Sequence, residues 1–156
     1  MRSAQGSRAR RFGFWVIAVL VTFGSITVQE GLAQQKSTFS GCTSATLKGT
    51  YIFEASGYNI VNSVPQPKAV VEYLSFAGDG TLSSVATAVV NGSVVGGDFN
   101  QGTGTYTVNS DCTGTLTFDG SGFTFDLYLA PQGASFHMIE TVASTVLAGR
   151  ATRVGR

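Results

Sequence analysis

The sequence predicts an all-β fold, a small up-and-down antiparallel barrel of about eight strands; a two-sheet β-sandwich is the alternative. Three observations predict it. Apolar and polar residues alternate in short runs with period two, as in Leu47-Lys48-Gly49-Thr50-Tyr51-Ile52-Phe53. Turn dipeptides separate the runs: Asp79-Gly80, Asn91-Gly92 and Asp119-Gly120. No stretch carries a helical period, while Gly, Val, Thr and Ser are plentiful.

Residues 1–33 read as a secretory signal peptide. Arg2, Arg8, Arg10 and Arg11 form a basic start, Phe12 to Val28 an apolar run, and Gly31-Leu32-Ala33 a small-x-small cleavage site, so that Gln34 becomes the mature N-terminus. The protein is thus expected to be exported, to the periplasm or beyond the cell, with no stable membrane insertion after cleavage. Two alternatives are membrane-anchored. An uncleaved signal would hold the chain, although a run of about 17 residues is short of the roughly 20 that span a bilayer. Lipidation at Cys42 would need Phe39-Ser40-Gly41-Cys42 to act as a lipobox, despite Gln34, Gln35 and Lys36 between it and the apolar run.

Removing 33 of the 156 residues leaves 123, enough for one domain. Six basic and eight acidic residues remain, a net charge of −2. Without a basic patch, electrostatic binding to nucleic acid is excluded. Cys42 and Cys112 are a lone pair in an exported chain and are expected to form a disulfide. With His137 the one histidine, no four-ligand metal site can be assembled, and no cofactor is expected.

The elements follow in order. Gln34 to Ala45 is polar and reads as an extended N-terminal segment; residues 46–156 form the single barrel domain. Leu47 to Ser56 is the first strand, with one aromatic face. Gly57 to Lys68, holding Pro65 and Pro67, reads as the longest loop. Ala69 to Ala77 and Thr81 to Val90 are strands on either side of Asp79-Gly80. Asn91-Gly92 then leads into Ser93 to Asp98, and both dipeptides suit type I′ hairpins with positive φ at the two central residues. Gly96, Gly97, Gly102 and Gly104 mark a second connection before a strand from Thr103 to Asn109. Thr113 to Phe118, Phe123 to Ala130, Ser135 to Ala143 and Thr145 to Arg153 complete the set, with Pro131 to Ala134 as a turn. Gly-Thr-aromatic or Gly-Thr-Leu phrases begin at Gly49, Gly104 and Gly114. In each, the glycine permits a bend or bulge and the residues two and four places on share one face.

Ala45-Thr46-Leu47-Lys48-Gly49-Thr50-Tyr51, Phe76-Ala77-Gly78-Asp79-Gly80-Thr81-Leu82 and, most specifically, Gly104-Thr105-Tyr106-Thr107-Val108-Asn109-Ser110-Asp111-Cys112-Thr113-Gly114-Thr115 resemble segments of a group of largely uncharacterised secreted bacterial proteins. That group is in turn distantly similar to the calycin-like barrel of allene oxide cyclase. The resemblance implies a small β-barrel with an apolar cavity. It carries over no catalytic residue, because no catalytic motif of that enzyme matches positions in this chain, and a shared fold does not by itself give a function.

No nucleophile elbow, phosphate loop, calcium loop or zinc motif is present. Four residues are candidates for binding a ligand. Glu72 shares a face with Val70, Leu74 and Phe76, and Glu140 one with Phe136, Met138 and Val142. A carboxylate in an apolar lumen has a raised pKa and can hold a polar head group or move a proton. The reading against it puts each carboxylate at a strand end in water. Tyr73 supplies an aromatic surface with a polar tip, and His137 lies on the face opposite Glu140, where a solvated histidine is the simpler account. Asp111, just before Cys112-Thr113, reads as a turn cap. The leading expectation is a non-catalytic barrel holding a small apolar or amphipathic ligand. Its rivals are an isomerase or cyclase using paired inward carboxylates, and a structural protein whose lumen is filled by Phe and Leu.

Overall fold

Alternating side chains must bury one face and pair their edges, and this chain does both by closing on itself. A computed structural model describes residues 41–155. The signal peptide, its cleavage site and the start of the extended segment lie outside the described residues. Eight strands follow in order: β1 (Gly49–Val61), β2 (Val64–Phe76), β3 (Thr81–Val90), β4 (Ser93–Val108), β5 (Thr113–Phe118), β6 (Thr124–Leu129), β7 (Ser135–Glu140) and β8 (Thr145–Gly155). Each pairs antiparallel with the next, and β8 pairs back onto β1, giving a closed barrel in sequence order rather than a sandwich.

Three expectations are corrected. The proline-bearing stretch from Gly57 to Lys68 is not a loop. It is the outer half of a long β1–β2 hairpin, turned at Asn62 and Ser63, both with positive φ. β2 meets β3 only from Lys68 onward, so Pro65 and Pro67 sit on an edge where their missing N–H groups cost no ladder bond. The glycines from Gly96 to Gly104 do not break the chain in two. β4 runs through them as one strand, with a register shift opposite Ala86–Ala88 that absorbs Gly96, Gly97 and Phe99 at positive φ. Asp79-Gly80 is not a two-residue type I′ turn. Gly78 and Gly80 take positive φ, Asp79 does not, and the Asp79 carboxylate accepts from the Thr81 amide (2.9 Å) and hydroxyl (2.7 Å). Asn91-Gly92 does take positive φ at both residues.

One end of the barrel is closed. Residues Ser44–Leu47 form a single turn of 3-10 helix, not the start of a strand, and Leu47 is fully buried as a plug. Around it pack Tyr51, Phe76, Tyr106 and Phe136, with ring centroids 4.8–5.7 Å apart and edge-to-face. Each buried ring of this size stabilises the fold by about 2 kcal/mol. Two carbonyls of the plug are met by a ring hydroxyl and an arginine. The Tyr51 hydroxyl donates to the Gly133 carbonyl (2.6 Å) and accepts from Arg153 Nε (2.9 Å) and Nη2 (2.6 Å), and Arg153 Nη2 also donates to the Thr46 carbonyl (2.7 Å). The Tyr106 hydroxyl donates to the Ser44 carbonyl (2.9 Å). The expected disulfide is present: Cys42 and Cys112 are bonded with Cα atoms 5.1 Å apart, tying the segment before the plug to the β4–β5 turn. A loop closed over 70 residues is worth about 4 kcal/mol in the chain-entropy account.

Candidate functional site

The other half of the barrel is hollow. Where the closed end has aromatic rings, the inward positions of β3 and β4 there carry Ser84, Ala86, Ala88 and Gly102. These small side chains leave a cavity of about 410 Å³, within the size range of small-molecule sites. Phe53 and Phe125 stand at its base, Val70, Phe118 and Leu147 along its walls, and exposed residues Asn100 and Ser121 at its rim. Phe125 meets Phe53 and Phe118 edge-to-face at 6.4 and 6.0 Å, so this part of the lining is apolar.

Both inward carboxylates expected from the sequence line this one cavity, and both are buried: Glu72 is 7% exposed and Glu140 5%. Their surroundings differ. Burial pushes Glu72 up to about 7, against a smaller lowering by the Ser84 hydroxyl that bonds it. Glu140 faces a cation: Lys68 Nζ donates to Glu140 Oε2 at 3.0 Å. That pair spans the inner faces of β1 and β8. Lys68 pairs with Gly57, and Gly57 with Leu147 on β8, so the lysine stem passes over a residue without a side chain. The ammonium also sits 5.2 Å from the centre of the Phe123 ring. The second oxygen of Glu140, Oε1, is buried with no hydrogen-bond partner, as is Asn59 Oδ1, and both residues line the cavity.

Tyr73 and His137 are not brought to this site. Period two places them on the outer surface, where Tyr73 is 52% exposed and His137 is exposed as well, so neither is part of an interior ligand site. Asp111 is the turn cap its position suggested: its carboxylate accepts from the Thr113 amide (3.1 Å) and hydroxyl (2.7 Å), which lowers its pKa. Sequence reasoning missed Lys68, Asn59 and Ser84. Lys68 continues the spacing of Val70, Glu72 and Leu74, a signal hidden by the two prolines before it.

Among the described residues, no group of His, Cys, Asp and Glu could hold a metal ion, and no helix is long and apolar enough to cross a membrane. The buried disulfide points to an oxidising compartment. Engaged in it, the Cys42 sulfur is not available for a lipid thioether. No known protein family, curated protein or solved structure matches the chain. What the barrel does is therefore read from its own geometry.

Proposed function

We propose that the chain is an exported, non-catalytic binding protein that takes a small apolar or amphipathic molecule into the hollow half of its barrel. One observation carries this reading. The cavity of about 410 Å³ combines apolar walls with a few buried polar groups, the combination that orients an amphipathic ligand. A barrel serving only as structure gains nothing from Ala86, Ala88 and Gly102 at positions where larger side chains would fill the lumen. The test is fluorescence titration with phenylnaphthylamine, an uncharged apolar fluorophore, on protein secreted from the full-length gene. Saturable enhancement at one probe per barrel is expected. No enhancement at micromolar protein, together with a native mass spectrum free of any retained small molecule, would overturn the reading. The same spectrum reports whether the exported chain starts at Gln34.

One observation favours a second reading, an isomerase or cyclase. Glu72 lines the same cavity as Glu140 and titrates near neutrality, where a general acid or base works best. Chromatography of a bound ligand before and after incubation separates the two. A ligand recovered unchanged supports binding, and a new isomer of equal mass supports catalysis.

A further inference from the structure

Two buried acceptors at the cavity lack a donor. The Lys68 ammonium is committed to Glu140 Oε2 and to the face of Phe123. The Ser84 hydroxyl is committed to Glu72. Among the buried side-chain atoms of the described residues, those without a partner are both acceptors, Glu140 Oε1 and Asn59 Oδ1. The Glu140 side chain has no solvent-accessible surface, so bulk water supplies its oxygen with no partner, and an occupant reaches it by parting the side chains over it. A buried acceptor without a donor costs about 1–3 kcal/mol, and more when it carries charge, so an occupant that brings a donor recovers that cost. The charges lean the same way. Lys68 is the cation among the lining residues, against the carboxylates of Asp119 and Glu140 and a Glu72 carboxyl that is about half ionised at neutral pH.

The geometry points to a ligand whose polar head is a primary ammonium, seated at Glu140 Oε1 and Asn59 Oδ1 with its hydrocarbon part directed towards Phe53 and Phe125. This deepens the binding reading and rests on it. A carboxylate head, the common alternative for an apolar chain, would bring a negative charge and two more acceptors beside acceptors that already lack a donor. It would lie against the cavity's own carboxylates and would have to share the Lys68 ammonium with Glu140. An alcohol offers a single donor without charge.

Octylamine, octanol and octanoate differ only in the head group, and their competition with phenylnaphthylamine at neutral pH tests the assignment. Octylamine is expected to bind at least tenfold more tightly than octanoate, with octanol between them. In Glu140→Gln the order of the charged pair should reverse, since the variant loses the anion and leaves the Lys68 ammonium free for octanoate. Equal affinities, or octanoate tightest in the wild-type protein, would overturn the ammonium assignment while leaving ligand binding intact. Binding of the fluorophore with no displacement by any of the three would do the same. Failure of the fluorophore and of all three ligands to bind would overturn both. The wild-type ranking decides the matter even if Glu140→Gln does not fold.

Discussion

A carboxyl group held among apolar side chains changes its affinity for protons, and Glu72 has its pKa raised from 4.5 to about 7 by burial. The sign of the effect on stability follows from proton binding. Between those two pH values the folded chain keeps a proton on Glu72 that the unfolded chain has released. Stability from this residue is therefore greatest below about pH 4.5, declines as pH rises to about 7, and is level above it, a total change of about 3 kcal/mol. Glu72→Gln removes the titration and keeps the shape. The variant should match the wild-type protein near pH 4.5 and exceed it by about 3 kcal/mol near pH 8, measured by urea unfolding at each pH. A constant difference between the two proteins across that range would show that Glu72 is solvated. That Glu72 and Glu140 face inward was legible in the sequence, because period two fixes the face of every residue in a regular strand. That only Glu140 has a cation was not legible, because Lys68 reaches it past two intervening strands and no local pattern encodes such a contact.

Strands had to approach closely for this barrel to close, and the glycines on the seams are where they do. A Cβ on Gly57 would land on the Val146 carbonyl across the β1–β8 seam, and one on Gly149 would land on the Glu54 carbonyl of the same seam. Gly104 and Gly114 make the same approach between β4 and β5, so two of the Gly-Thr phrases mark contact between strands, while the third, with Gly49 at positive φ beside the register shift at Thr50–Tyr51, is the bulge its glycine permits. Since β1–β8 is the pairing that closes the barrel, Gly57→Ala should force those strands apart and cost about 1–3 kcal/mol, as overpacking does elsewhere. A fall in the urea midpoint checks this, and an unchanged midpoint would mean that the seam yields without strain. At this scale the sequence showed most strands and misplaced their ends. Pro65 and Pro67 disguised half of the β1–β2 hairpin as a loop, since proline disfavours a ladder only where the ladder needs its N–H, and the free edge of β2 does not. Gly96 and Gly97 disguised the middle of β4, because a bulge and a break use the same residue type.

Across the whole molecule the two halves of the barrel divide the work between stability and space. The aromatic rings, the Leu47 plug, the Arg153 network and the disulfide are gathered at the closed end, and the small residues of β3 and β4 at the open one. If the cavity exists only because large side chains are absent from β3, filling it should be favourable for folding and costly for binding, the trade that functional cavities make. Ala86 lines the cavity wall, and its neighbours across the ladders, Glu72 on β2 and Asn100 on β4, leave it facing the open lumen. Ala86→Leu puts a branched side chain into that space without touching the plug. Stability should rise by about 1 kcal/mol, as cavity-filling changes commonly give, while phenylnaphthylamine affinity falls at least tenfold. Thermal unfolding and probe titration on the same sample read both quantities. A variant that binds the probe as well as the wild-type protein would place the probe outside the lumen, and one that loses stability along with binding would mean that the barrel wall has no room to spare beside Ala86.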